Sequence, residues 1–339
     1  MTAVILASRS NGATFWNRAG RFMDVILHRG SNRTGSTTFQ SYMRRSHSEF
    51  SNRQIGYWGP QRTRQGLFAG IVPSSSMQHV LNMQARAVGP VQMQMGSAAQ
   101  SGVRKFLVSE ENMIGSVRHN LRKRALYPAI GQQMTQYAQA FEGHLKRVVL
   151  NIRALDLYWA SSITYGIWRG HCVLPAQALD EVACASHTWR DVITDLACAL
   201  PDTEIRVVPF ERYQGRPDQM LKGCIDEVGP SNTGEEWLNR APTLTALQAI
   251  LSERGDIADL CALGSQKSTR RWMPFDQKQS AQLREAYADD MHWPYSGADE
   301  LATLKKDTDQ PRMGNIPQFG PFERGQRHDK QERHVAGHR

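Results

Sequence analysis

Met23-Asp24-Val25-Ile26-Leu27-His28-Arg29-Gly30-Ser31-Asn32-Arg33-Thr34-Gly35-Ser36-Thr37-Thr38 is the stretch that decides the fold. Its first six residues form an apolar run that reads as a buried strand, 23–28. The run passes into a loop bracketed by Gly30 and Gly35. The stretch from Thr37 to Arg45 then reads as a helix. A strand, a glycine loop and a helix start in succession make an anion cradle. The first amides of the helix have no partner in the chain, the helix dipole favours negative charge, and glycine lets the backbone come close. The two glycines have the G-x4-G-K-[ST] spacing, yet Ser36 stands where that pattern has lysine, and the basic residue is Arg33, before the second glycine. The lysine of that pattern bridges the β- and γ-phosphates of a triphosphate. Its absence makes a nucleotide kinase or other ATP-dependent phosphotransferase the lesser alternative. A cation at Arg33 suits one phosphate with a leaving group beside it.

Outward from this loop, apolar runs at 105–109, 147–152 and 204–210 read as further buried strands. Helical patterns cover Leu155–Trp168, Asp191–Ala199 and, after Pro274, Gln277–Tyr287. Alternating strands and helices predict an α/β domain whose mainly parallel sheet has about five strands. The Gly-, Gln-, Met- and Ser-rich stretch 60–104 reads as an insertion over one end of the sheet. Residues 1–22 are expected to be a poorly ordered extension, 23–309 the α/β domain, and 310–339 a basic disordered tail. The tail's three histidines are expected to be solvated, and no metal site is expected.

Composition narrows the class. The chain has 339 residues, 40% hydrophobic and 22% charged, which is globular and long enough to bury a sizeable core. The five cysteines, Cys172, Cys184, Cys198, Cys224 and Cys261, are scattered without a CxxC, against a zinc site or disulfide scaffold. No apolar run approaches the ~20 residues that span a bilayer, and no secretory leader pattern opens the chain, so a cytoplasmic location is expected. The net charge of +9 calls for an anionic partner. It is unevenly spread: residues 23–170 carry 18 basic and 6 acidic residues, residues 171–309 carry 14 and 23. Nucleic acid is not expected, since no RNP, helix-turn-helix or zinc pattern occurs.

The segment His28-x-Gly30-x-x-Arg33-Thr34-Gly35-Ser36-Thr37-Thr38-x-Gln40 resembles the phosphosulfate loop of the P-loop sulfotransferases, H-x-G-x-x-K-T-G-T-T-x-x-Q. These enzymes use 3′-phosphoadenosine 5′-phosphosulfate (PAPS). Arg33 takes the place of the family's lysine, keeping the charge and adding a planar fork. The resemblance, with a bacterial branch of the family, covers roughly residues 23–290. It implies a three-layer α/β sandwich of the P-loop NTPase-like sulfotransferase type. The phosphosulfate would lie on Arg33, Thr34, Gly35, Ser36, Thr37 and Thr38.

A nucleotide with a 3′-phosphate needs a second anion site. Arg153 lies at the carboxyl end of the 147–152 strand, where ligands bind in open α/β sheets. Ser161 follows about two helical turns later. In the resemblance, an arginine and a serine eight residues on hold the 3′-phosphate. The plain structural alternative pairs Arg153 with Asp156. Sulfonyl transfer to a hydroxyl or amine also profits from a base. The run Ser109-Glu110-Glu111-Asn112 resembles a motif of bacterial members, with Glu111 ahead of Glu110 as the base. The alternative is a structural carboxylate neutralising Arg118, Arg122 or Arg124, and His119 is a weaker candidate. The basic segment Lys267–Trp272 is a candidate closing loop, with Arg270 or Arg271 toward the nucleotide. Trp58, Trp159, Trp168 and Trp272 are expected in the core or lining a pocket. A catalytically silent nucleotide-binding or interaction protein is the alternative from a different class. The acceptor is not legible in the residues.

Overall fold

A computed structural model describes residues 23–72, 77–141, 143–231, 238–264 and 268–305. The extension 1–22, the tail 310–339 and Lys267 lie outside them. Chain contacts divide the molecule into a unit ending at Lys305 and a short one from Lys306, the second also outside the described residues.

Six strands form one sheet: β1 (Asp24–Gly30), β2 (Ile55–Trp58), β3 (Lys105–Ser109), β4 (Leu145–Ile152), β5 (Glu204–Pro209) and β6 (Thr303–Leu304). Their order is β2-β3-β1-β4-β5-β6 and every pairing is parallel. The helices used below are α1 (Ser36–Arg45), α2 (Met77–Gln100), α3 (Ile130–Ala140), α4 (Leu155–Trp168), α5 (Trp189–Ala199), α6 (Pro217–Ile225), α7 (Leu244–Arg254) and α8 (Gln277–Tyr295).

A parallel sheet is covered on both faces, so its strands carry apolar residues in succession. Successive side chains then go to opposite faces. Val25 and Leu27 pack with Met95, Met134, Tyr137, Ile163 and Val192 of α2, α3, α4 and α5. Ile26 packs on the other face with Phe39, Tyr42 and Met43 of α1 and Met220 and Leu221 of α6.

Four expected strands are present, and two more were not foreseen. β2 has four residues, one of them Gly56, and β6 has two. Both lie at sheet edges and neither makes an apolar run. The expected strand 204–210 stops at Pro209, because Phe210 opens a short helix, Phe210–Tyr213. The stretch 60–104, expected to be an insertion, carries α2 within the crossover from β2 to β3, and Val91 and Met95 bury against the core. Helix α5 starts two residues before Asp191, because Thr188 and Asp191 form a capping box. Helix α8 runs on to Tyr295, beyond the expected Tyr287. Among the described residues, no helix is long and apolar enough to cross a membrane.

β1 is central, with β3 on one side and β4 on the other. Register aligns His28 with Ser109 and Gly30 with Asn151, and Ile152 with Pro209 across β4 and β5. The carboxyl ends of four strands therefore open at one sheet edge, where the chain reverses its direction of travel across the sheet.

Candidate functional site

The loop after β1 is tied down on several sides. Ser31 Oγ donates to the Asn151 carbonyl. The Asn32 amide donates to Tyr127 Oη at 2.8 Å and its side chain to the Gly115 carbonyl at 3.2 Å. Tyr127 Oη accepts in turn from Tyr158 Oη at 3.1 Å. Arg33 and Gly35 both sit in the left-handed region, φ 71 and 78. Gly30 has a different reason: a Cβ there would lie 1.9 Å from Ser36 Oγ.

Helix α1 starts at Ser36 with no side-chain cap and no acid in its first turn. A cap contributes about 1 kcal/mol. Burial of Phe39 and Met43, at about 1.5–3 kcal/mol each, outweighs its absence. The helix can thus keep its N-terminus open. No hydrogen bond among the described residues uses the amides of Gly35, Ser36 or Thr37, and Ser36 Oγ is buried without a partner. Partnerless donors at a helix start fit an oxyanion.

Four predicted residues from distant parts of the chain meet beside this loop. Arg33 Nε donates to Ser161 Oγ at 3.1 Å, and the Arg33 guanidinium lies 4.9 Å from the Tyr165 ring. Arg153 Nη1 donates to the Arg33 carbonyl at 2.6 Å, and its guanidinium lies 4.8 Å from the Phe210 ring. Arg153 Nε is buried without a partner. Arg271 is close enough to repel both. Burial pushes Arg33 down to about 10, with Arg271 adding to it and Tyr165 opposing. Burial pushes Arg153 down to about 9, helped by Arg271 and Arg33 and opposed by Glu211. Arg271 itself is lowered by burial. Among the described residues, none of the three forms an ion pair with a carboxylate. The alternative pairing of Arg153 with Asp156 is not formed: Asp156 pairs with Arg284 at 2.7 Å. Glu211 accepts from the Ala154 amide and from Tyr287. Three neighbouring cations, Arg153 buried and none of them in an ion pair among the described residues, make this a candidate anion site.

The acids lie on the β3 side of the loop. Glu111 Oε2 accepts from Gln40 Nε2 on α1 at 2.9 Å. The same Gln40 nitrogen donates to Ser109 Oγ, which pairs with His28 Nδ1 at 2.9 Å. Burial first, then Arg29, pushes the His28 imidazole down to about 3, so it stays neutral. Glu110 is not placed to act as the base. Its carboxylate is taken by Arg64, by Thr63 Oγ1 at 2.7 Å and by the Asn112 amide at 3.0 Å. Glu110 is the structural carboxylate, and its partner is Arg64 rather than Arg118, Arg122 or Arg124. Arg124 pairs with Glu181. His119 interacts with Arg122 on its own helix.

Burial alone would raise the Glu110 carboxyl, but the bonds from Arg64 and Thr63 hold it below the ordinary glutamate value. A depressed carboxylate stabilises the fold above its unfolded value and loses that contribution as pH falls through its native one. Glu110→Gln is therefore expected to lower stability by about 1–3 kcal/mol near neutrality. It should also lose less than the wild type on acidification to below the ordinary glutamate range. Urea melts at neutral and acid pH measure both, and equal losses on acidification would take Glu110 out of the acid response.

Three features were not foreseen from sequence. Arg64 joins the two acids. Asn239, itself at φ 55, lies over the loop: its side-chain and main-chain oxygens accept from Arg33 at 3.2 and 3.1 Å. A small, open depression lies beside the loop, lined by Thr34, Gly35, Thr38, Phe210, Tyr213 and Arg216. Of these tryptophans, Trp58 and Trp159 are core residues, Trp272 packs at the core edge, and Trp168 meets Tyr165 in a tilted contact, with Arg169 over its ring. Among the described residues, no group of three or more His, Cys, Asp or Glu is arranged to hold a metal. No protein-family model matches this chain, and no curated protein matches it.

Proposed function

We propose that this protein is a PAPS-dependent sulfotransferase of the P-loop kind, moving a sulfonate group to a hydroxyl or amine. The observation that carries the reading is the meeting of Arg33, Arg153 and Arg271 beside an uncapped helix start, with no carboxylate paired to any of them among the described residues. The donor fits this set. Ser36 Oγ and the open amides of 35–37 would take the phosphosulfate, whose chemistry is that of a good leaving phosphate. Arg153, its partnerless Nε included, would take the 3′-phosphate with Ser161 and Arg271. The phenyl ring of Phe210, beside Gly35 and Thr34, offers an aromatic surface next to the loop.

In this mechanism Glu111, held by Gln40, accepts the proton of the acceptor as the acceptor's oxygen or nitrogen bonds to sulfur. The sulfur–oxygen bond to phosphate breaks in line. Arg33 and the loop amides stabilise the negative charge arriving on the phosphate oxygen. Arg33 now points to Ser161 and Asn239, so it must exchange those partners for the donor. That orientation also favours a second reading, a protein that binds the nucleotide without turnover.

Ligand-induced stabilisation tests the reading. At a hundredfold excess over Kd, a ligand adds about 2.7 kcal/mol of stability. Adenosine 3′,5′-bisphosphate is expected to raise the melting temperature by several degrees, and ATP with Mg²⁺ by less. The opposite order would replace this reading with the phosphotransferase one.

A further inference from the structure

We propose that Arg64 is a positioning residue for Glu111, an assignment that rests on the reading of Glu111 as proton acceptor. Arg64 stands in an irregular, widened turn, Thr63–Leu67, which opens at Gln65 and at Gly66, φ 99. Such turns recur at functional sites. Here the turn delivers one guanidinium to two neighbouring carboxylates. Arg64 Nε donates to Glu110 Oε2 at 3.0 Å and Nη2 donates to Glu110 Oε1 at 2.8 Å. The same Nη2 donates to Glu111 Oε1 at 2.8 Å.

The two acids differ in what else holds them. The Glu110 side chain is 4% exposed, that of Glu111 19%. Glu110 is anchored by Thr63 and the Asn112 amide, and Arg29 Nη1 donates to its carbonyl at 3.0 Å. Glu110 therefore fixes the guanidinium, and the guanidinium fixes Glu111 Oε1. Gln40 fixes Glu111 Oε2 at 2.9 Å from the helix that carries the phosphate loop. Both oxygens of the proton acceptor are thus tied, one through the loop helix and one through Arg64. Loss of Arg64 would leave two adjacent carboxylates without the cation that bonds to both. Like charges would then push Glu111 away from its aim, and a misplacement of an ångström is enough to cost a hundredfold. Arg64 shares no contact with Arg33, Arg153, Ser161 or Arg271 among the described residues, so donor binding does not depend on it.

Sulfonyl transfer from PAPS to water tests this without an identified acceptor. Water's oxygen bonds to sulfur, the bond from sulfur to the phosphate oxygen breaks, and Glu111 takes the proton and passes it to solvent. Sulfate and adenosine 3′,5′-bisphosphate are released. Rates are measured for the wild type, Arg64→Ala, Arg64→Lys, Glu111→Gln and the Arg64→Ala/Glu111→Gln double variant, with calorimetric affinity for the bisphosphate. Arg64→Ala is expected to lower kcat by roughly 30- to 300-fold, around the hundredfold cost of a misplaced group, with KM for PAPS and bisphosphate affinity unchanged. Arg64→Lys, a single point donor, is expected to recover part of the rate. The double variant is expected to be no slower than Glu111→Gln. Losses that multiply in the double variant, or a KM that rises as kcat falls, would overturn the assignment. If Arg64→Ala fails to fold, Arg64→Lys takes its place in the same cycle and separates the same outcomes. A wild type that neither binds the bisphosphate nor releases it from PAPS overturns the donor reading and this assignment together. Turnover with a multiplicative cycle removes Arg64 alone.

Discussion

Replacing Arg153 with alanine is expected to weaken binding of adenosine 3′,5′-bisphosphate by roughly 30-fold to several thousand-fold. Truncating one partner of a buried charge pair costs about 2–5 kcal/mol, and each 1.4 kcal/mol is about tenfold in affinity. The upper part of the range applies here because Arg153 is buried with its Nε unsatisfied and with Arg33 and Arg271 as neighbours. An anion removes a repulsion as well as forming bonds. Arg153→Lys is expected to keep the charge and lose the fork, and so to fall between the two. Titration calorimetry at fixed ionic strength measures this. An unchanged affinity for Arg153→Ala would take the second phosphate away from this strand end.

Glu111→Gln is expected to lower turnover by roughly 10²- to 10⁴-fold, the span of a lost general base. The amide keeps the size of the carboxylate and, through its one oxygen, the bond from Arg64, while its NH2 loses the bond accepted from Gln40, and it does not accept a proton from an acceptor hydroxyl. Bisphosphate affinity is expected to stay at the wild-type value, because Glu111 is on the β3 side of the loop and the arginines are on the β4 side. Single-turnover release of the bisphosphate from PAPS separates the two quantities. A variant with full turnover would move the base to another group.

The strand, glycine loop and helix start around Gly30–Gly35 were legible in sequence because their determinants are local. Gly30, Arg33, Gly35 and Gln40 lie within one strand, turn and helix, and their spacing is enough to be read. Arg153 and Ser161 were legible for the same reason, each at a fixed offset from a strand end. What joins these segments was not. Arg33 reaches Ser161 across 128 residues and Asn239 across 206, separations at which no periodicity operates. Arg64 was missed because the strand before it, Ile55–Trp58, is short and contains Gly56, so nothing announced that residue 64 would return to the end of β3. Glu110 and Glu111 are adjacent and chemically alike, so sequence put Glu111 only slightly ahead. Their roles separate only through burial and the partners that Thr63, Arg64 and Gln40 supply. The depression was hidden for a related reason: Phe210 read as the last residue of a strand, whereas it starts a helical turn and its ring faces the loop.

The central place of β1 also governs when the site comes into being during refolding. His28 is paired with Ser109, 81 residues on, and Ser31 with Asn151, 120 residues on. Pairings at such separation close large loops before they are rewarded, which makes parallel sheets of this kind slow to assemble. The loop after β1 is held only when strands from both sides have docked on β1. Recovery of bisphosphate binding after dilution from denaturant should therefore trail the recovery of helical circular dichroism, making ligand capture a clock for completion of the sheet.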